Sequence, residues 1–437
     1  MTTETNQTTD RSSVDQFLMR HQLTANDFDI QTVVDAFIQE MDLGLAGKAS
    51  SLRMIPTYIE ADNEFLTAVP VVAIDAGGTN FRTTLVQFTP EGKLELQDIK
   101  HNRMPGIDRE INKAEFFDTM ASYIKEFVPK ADRIGFCFSY ATEILPNRDG
   151  ILIEFSKEVK APEVEGERIG ENLLAALGTP HKQIVLLNDT VATLLAGKSS
   201  SYGKNYDSFI GFILGTGTNT CYIESNKNIT KVSGLNPALS QIINIESGNF
   251  DKMPRTDIDY HFEETTHTPG SYAFEKMISG AYFGGISLAV FKQAAKEGVF
   301  SPQAAHYLEN TDELSSEQVN QFLKGERKLN HILFDCFSDP RDENNARIII
   351  QNLVSRGAKL VAGKLAAVIL KTGKGKSPGR PILITVEGTT FYKLHQFKVE
   401  FEKEFRQYLS GDQQRYYEFI QVPSSSLVGA ALAALIE

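Results

Sequence analysis

Cysteine is too scarce and too scattered to organise this chain. Its three cysteines, Cys137, Cys221 and Cys336, lie far apart inside apolar or mixed runs, without the close spacing of a metal site. They read as buried thiols in a reducing compartment. Positive charge is also short: 44 Lys and Arg stand against 56 Asp and Glu, a net charge of −12. Such a chain has no general field for a polyanion, which argues against nucleic acid and anionic membrane as partners, so any phosphate must be held by local donors. No apolar run is long enough to span a bilayer, and the polar start MTTETNQTTDRSSVDQF lacks the apolar core of a secretory signal. The expected location is cytoplasmic.

What is present is ordinary globular content, 41% hydrophobic over 437 residues, enough for a sizeable core divided into two or more units. A polar tail over 1–13 gives way to amphipathic helices over 14–66, where Phe28, Val33, Val34, Phe37, Ile38 and Met41 recur at helical spacing. From Val71 strands dominate. KAEFFDTMASYIKEFV then reads as a helix, RIGFCFS and QIVLL as strands, and TVATLLAG as a helix. Strands alternating with helices imply an α/β fold with a largely parallel sheet. The stretch GKSSSYGKNYDS reads as a boundary. Directly after it, SFIGFILGTGTNTCYIE opens with strand, Gly/Thr turn and strand, as the first unit does, which predicts a duplicated βαβ architecture.

The stretch VVAIDAGGTNFRTTLVQF places a carboxylate and two glycines between two strands. A dinucleotide fingerprint would need its glycines to open a helix, but Phe81 to Phe88 alternates as a strand. What remains is a hairpin whose glycines let backbone N–H groups approach an anion. A plain hairpin is the better reading of one such turn alone. Two of them, Asp75–Thr79 and Gly215–Thr218, favour a nucleotide's phosphates lying between, with Asp75 holding Mg²⁺ through water. In QIVLLNDTVATLLAG an apolar run ends in Asn188-Asp189, at the carboxyl end of a buried strand where ligands bind in open α/β sheets. Helix capping by Asp189 or Thr190 explains the same residues equally well.

An ordered set of motifs resembles the hexokinases of the actin-like ATPase superfamily: IDAGGTNFR, GILIEFSKEVKAPEVEGE, LLNDTVATLLAG, GFILGTGTNTCYIE, NIESGNF, PGSYAFEKMISGAYFGGI and VEGTTFYKLHQFKVEF. The likeness runs from Ser50 to the C-terminal GAALAAL, the length of one catalytic unit. It implies an α/β, two-lobed actin-like (ribonuclease H-like) fold with a duplicated βαβ core and a cleft. A smaller lobe would span 67–195 and a larger one 196–437, with the helices of 14–66 packed on the larger and the final helix a candidate to return to the smaller. The activity implied is transfer of the γ-phosphoryl group of ATP to the 6-hydroxyl of a hexose, glucose first, with Mg²⁺. The molecule would be a monomer or homodimer.

By the same resemblance Asp189 is the general base, while Ser139, Ser156, Lys157, Asn188, Asn219, Glu246 and Glu275 hold the sugar. Asp75, Gly77, Gly78, Thr79, Asn80, Arg82, Thr216, Gly217 and Thr218 face the phosphates, with Asp75 on the metal through water. Ser355, Thr389 and the segment near Gly429 lie toward the nucleoside. Plainer roles stay open: Glu246 and Glu275 as solvated charges, Lys157 on a surface loop, Arg82 in a structural pair with a carboxylate. The chain also departs from the family. Phe138-Ser139-Tyr140-Ala141 stands where Phe-Ser-Phe-Pro is usual, Ser156 replaces threonine, Glu387-Gly388-Thr389 replaces Asp-Gly-Thr, and SSSLVGAAL lacks the glycine-rich form. These departures bear on sugar preference and on the nucleotide donor. The competing readings are a kinase for another sugar or amino sugar, of the repressor and glucokinase type whose cysteine-rich zinc motif this chain lacks, and a non-catalytic sugar sensor.

Overall fold

The computed structural model describes residues 12–60, 64–155, 159–201 and 204–436. Two β-sheets built on one plan organise them. In the first, Val71–Gly77 pairs antiparallel with Asn80–Phe88 and parallel with Arg133–Phe138, which pairs parallel with Gln183–Leu187. In the second, Ser208–Leu214 pairs antiparallel with Thr218–Ser225 and parallel with Ile382–Glu387, which pairs parallel with Tyr417–Ile420. The outer edge of each hairpin takes a further antiparallel strand. Leu94–Leu96 and Lys100–Arg103 do so in the first sheet and Ser240–Asn244 in the second, where Ile55–Pro56 adds a last short strand. The central strands are apolar runs rather than alternating ones: Val71, Val72, Ala73 and Ile74 are all fully buried, because helices cover both faces.

Between the sheets lie two helices packed on each other, Asp189–Ser200 and Ser425–Leu435. The latter, SSLVGAALAAL, is built from small residues, and this sets how closely the layers approach. A Cβ on Gly429 would stand 1.9 Å from the Ala192 carbonyl oxygen, and one on Gly135 would stand 1.9 Å from that of Ala430. Val191, Leu194, Leu195, Leu427, Leu432 and Leu435 fill the shared core, each worth roughly 1.5–3 kcal/mol on full burial. Helices Lys113–Ile124 and Ile169–Ala176 cover the outer face of the first sheet. The long helix Pro340–Thr372 covers the second, with Ile30–Leu45 and Phe397–Tyr408 packed on it.

The stretch taken as a boundary begins later than its composition indicates. Helix Asp189–Ser200 continues through Gly197, Lys198 and Ser199, because Ser199 returns its hydroxyl to the Ala196 carbonyl at 2.8 Å and the Ser201 N–H closes onto Gly197. All three cysteines are buried and free, and among the described residues no helix is long and apolar enough to cross a membrane.

Candidate active site

Three strand ends of the first sheet lie side by side, since Asp75, Cys137 and Leu187 are in register. The chain leaves them through Gly77, Ser139 and Asn188. Asn188 has extended backbone and its Oδ1 accepts the Thr190 N–H at 2.9 Å, so Asn188 caps the following helix. The capping role expected of Asp189 or Thr190 therefore falls one residue earlier, where the chain is still extended. Asp189 is left as the first helical residue with its Oδ1 3.4 Å from the Thr190 hydroxyl. Burial raises its carboxyl to about 6, helped by the charges of Asp75 and Glu246 and opposed by the Thr190 donors. Asp189 nonetheless keeps partial exposure.

The second sheet meets these groups with an amide and carboxylate network. Asn219 Nδ2 lies 3.3 Å from Asn188 Oδ1, 2.8 Å from Asn244 Oδ1 and 3.2 Å from Glu246 Oε1, and Asn244 Nδ2 donates to Glu246 Oε1 at 2.8 Å. Asn219 Oδ1 accepts the backbone N–H of Ser247 at 3.2 Å. Glu246 has left-handed backbone, φ 59° and ψ 49°, an uncommon state for a glutamate that the surrounding bonds hold in place. Its carboxyl is raised by burial against the pull of Asn244, Arg53 and Asn219. Asn244 was missed in the sequence, although it carries the same signal as Asn188: a buried polar residue ending an apolar strand.

Glu275 stands on the helix Ala273–Ile278 behind the second hairpin. Its Oε2 accepts the Thr218 N–H at 2.8 Å and would be 2.6 Å from any Cβ on Gly217. Burial raises it to about 7, against the Thr218 bond. The hairpin itself is held by its carbonyls: Gly215 O accepts from the Gly280 N–H at 2.8 Å and the Thr390 hydroxyl at 2.7 Å, and Thr216 O accepts from the Ala281 N–H at 3.0 Å. Thr216 is exposed at the tip, while the buried Thr218 turns its hydroxyl inward, donating to the Ile213 carbonyl at 2.8 Å. Thr390 too was missed; the exposed Thr389 beside it was the residue expected at the site.

In the first hairpin, Asp75 lies opposite Arg82, which donates to Asp75 Oδ2 from Nε at 2.8 Å and again from Nη2. Arg82 Nη2 also reaches Ser426 Oγ at 2.9 Å, so the structural pairing of Arg82 is the one observed. Gly78 is left-handed, φ 56°, with nothing within 4 Å of where a Cβ would be, and Thr79 and Asn80 are exposed beside it. The Gly78 carbonyl accepts the Tyr140 hydroxyl at 2.9 Å, which ties this turn to the loop carrying Ser139.

The arrangement thus groups these residues: Asp75 and Glu246 act on the charge of Asp189, Glu246 acts on Glu275, and Asn219 joins Asn188 to Glu246. Ser355 sits half-buried on the long helix, next to Arg356, whose buried guanidinium pairs with Asp259 at 2.8 and 2.9 Å. Ser156 and Lys157 lie outside the described residues. Among the described residues no group of three or more His, Cys, Asp or Glu converges on a metal. A single carboxylate in the first hairpin, Asp75, would suit Mg²⁺, which keeps several waters and rests on substrate phosphates. A cavity of about 990 Å³ opens elsewhere, between helices Asp257–Glu264 and Phe283–Lys296, and holds none of these carboxylates; convergent polar groups, not volume, mark the site.

Two family models, both described as Hexokinase, match residues 14–199 and 209–436. The chain is 28% identical over 441 residues to Hexokinase-3 of Oryza sativa subsp. japonica, covering 93% of this chain and 87% of that protein. To Hexokinase-1 of Schizosaccharomyces pombe it is 28% identical over 433 residues, with the same coverage. Hexokinase-2 of Homo sapiens is 29% identical over 97% of this chain, which spans 48% of that longer protein. In fold, the chain is similar to a solved hexokinase from Schistosoma mansoni complexed with glucose, with a TM-score of 0.76 at 21% identity over 97% of this chain and 98% of that one. The likeness to a ROK hexokinase from Thermus thermophilus is lower, with a TM-score of 0.50 at 15% identity over 84% of this chain and 98% of that one.

Proposed function

Because the chain belongs to the hexokinase family, whose members pass the γ-phosphoryl group of ATP to a hexose, we propose how its own residues divide that reaction. Asp189 is the general base. The observation that carries this is its environment: relieved of capping by Asn188 and raised to about 6, it is ionised near neutral pH yet basic enough to take a proton. The sugar 6-hydroxyl gives its proton to Asp189 as its oxygen bonds to the γ-phosphorus. The bond from that phosphorus to the bridging oxygen breaks, and ADP leaves.

Asn188, Asn219, Glu246 and Glu275 hold the other hydroxyls, each of which both donates and accepts, with Ser139, Ser156 and Lys157 as further sugar ligands. Backbone N–H groups of Gly77, Gly78 and Gly217, with Thr79, Asn80 and Thr216, face the phosphates, while Arg82 and Thr218 brace the two hairpins. Ser355 and Thr389 lie toward the nucleoside. Mg²⁺ bound with ATP would neutralise charge on the phosphate oxygens, and Asp75 is the residue that would hold it, through water. Glucose is the expected hexose, and the enzyme works in the cytoplasm as a monomer or homodimer.

A coupled assay of ADP release, run with glucose, mannose, fructose or no sugar, tests this reading. Glucose-dependent release that stops in excess EDTA is the expected result. Release without any dependence on sugar, or none with any hexose, would remove the enzymatic assignment and favour a sugar sensor.

A further inference from the structure

Lys364 lies directly beneath this site, and no step above uses it. It stands on the helix Pro340–Thr372 in the run KLVAGKLAAV, with no exposed surface. Its Nζ is 3.1 Å from Thr218 Oγ1 and 3.2 Å from Ser247 Oγ. Both hydroxyls give their own protons elsewhere, Thr218 to the Ile213 carbonyl and Ser247 to Thr220 Oγ1 at 3.2 Å, so toward the lysine they act as acceptors. The rings of Phe212 and Phe274 flank the ammonium with centroids 4.8 Å away. Thr218 ends the second hairpin and Ser247 follows Glu246, so one side chain fastens the phosphate turn and the sugar turn together from below.

A buried ammonium is costly unless something compensates it, and the carboxylate whose charge reaches this one is Glu275. We propose that Lys364 is a positioning residue for the hexose: it holds Thr218 and Ser247 in place and offsets the charge of Glu275, keeping that carboxylate ionised to accept the sugar's hydroxyls. The inference rests on the reading that Glu275 binds sugar. Burial pushes Lys364 down to about 7 and Glu275 up to about 7, and each charge pulls the other back. The other groups facing Glu275 are Glu246, which opposes its ionisation, and Lys276, which favours it while held by the Thr268 carbonyl at 2.6 Å and by Glu263 at 3.8 Å. The phenols of Tyr272 and Tyr282 also sense Glu275, and Arg53 acts on Glu246.

The test follows glucose KM, kcat and thermal midpoint from pH 6 to pH 9 in Lys364→Met, which loses charge and both bonds, and in Lys364→Gln, which keeps a donor. Loss of a neighbouring cation makes a carboxylate harder to ionise, so the acid limb of kcat/KM for glucose should move about one pH unit upward. Glucose KM at pH 7 then rises roughly fivefold and returns to within about twofold of wild type at pH 9, with kcat changed less than about threefold. In a Glu275→Gln background the lysine change should leave the limb where it is. A KM raised by one factor at every pH, or an unmoved limb, overturns the proposal.

Should the lysine variants fail to fold, Glu275→Gln decides alone. Without its counter-carboxylate the buried ammonium is harder to keep charged, so Lys364 Nζ, followed by NMR in the folded protein, should titrate at lower pH in Glu275→Gln than in wild type. An unmoved lysine titration overturns the pairing. If Glu275 does not bind sugar, Glu275→Gln leaves glucose KM unchanged while the lysine titration still shifts, which separates the two failures.

Discussion

The two glycine hairpins hold equivalent places in two sheets of one topology, and the fold treats them differently. The second is fastened on several sides: Gly280, Ala281 and Thr390 bind its carbonyls, Glu275 binds the Thr218 N–H, and Lys364 binds the Thr218 hydroxyl. The first has fewer ties, Arg82 across the strands, the Tyr140 hydroxyl on the Gly78 carbonyl and the Met104 N–H on the Thr79 carbonyl at 3.0 Å, and its Gly78, Thr79 and Asn80 stand open to solvent. A fastened turn with few alternatives presents its N–H groups ready-made. An open tip can adjust as a substrate arrives, which is where closing motions of kinases are drawn from. One pattern of residues thus serves two mechanical roles.

The largest effect that sharpens this contrast is expected where the two halves meet, at Asp189. Asp189→Asn should lower kcat by roughly 10²-fold to 10⁴-fold with both hairpins intact. Its thermal midpoint should rise, because a buried carboxylate repelled by Asp75 and Glu246 becomes a neutral amide and capping stays with Asn188. Steady-state rates and calorimetry on the one variant check both; near-normal kcat would leave the site without its base.

Next comes a matched pair of glycine substitutions. Gly388, φ 113°, lies against the second hairpin, where a Cβ would be 2.2 Å from the Leu214 carbonyl oxygen. Gly388→Ala combines backbone strain with overpacking and should cost about 3 kcal/mol or more. Gly78→Ala meets only the strain, about 1–2 kcal/mol. Equal shifts in denaturant midpoint would erase the distinction between fastened and open turns.

The third prediction is a pH profile. Asp189 must be unprotonated to act, so activity should fail as pH drops through about 6. Asp75 on the first hairpin is among the charges raising it, so Asp75→Asn should move that limb to lower pH even while ATP use suffers. Loss of Lys364 should move the limb for glucose the other way. The smallest effect is expected for Tyr140→Phe, which removes one bond to Gly78, worth about 1 kcal/mol. ATP KM should rise severalfold with glucose KM nearly unchanged, and a change confined to glucose would place the hydroxyl's influence on the sugar loop instead.

Much of the site could be read in the chain before folding, because its signals are local. Glycines between two alternating runs announce a turn with backbone open to an anion, and Asn188-Asp189 after QIVLL announces polar groups at a strand's end. Asn244, after QII, carries the same signal. Lys364 had no signal at all: within KLVAGKLAAV a lysine every few residues looks like an ordinary helix with solvated charges, and its partners Thr218 and Ser247 are 146 and 117 positions away.

The sequence alone thus determined the two strand, turn and strand hairpins, the helix after QIVLL, the duplicated plan and the ordered motifs of a hexokinase, since side-chain period and glycine backbone freedom act within a few residues. Tertiary structure decided which groups share the cleft floor. It assigned the helix cap to Asn188, bound Arg82 to Asp75, turned Thr218 inward and buried Asp189, Glu246 and Glu275, so that all three hold their protons more tightly, Asp189 further so through Asp75 and Glu246, and Glu275 through Glu246. Desolvation and Coulomb interaction depend on neighbours in space, and those neighbours come from strands and helices far apart in the chain.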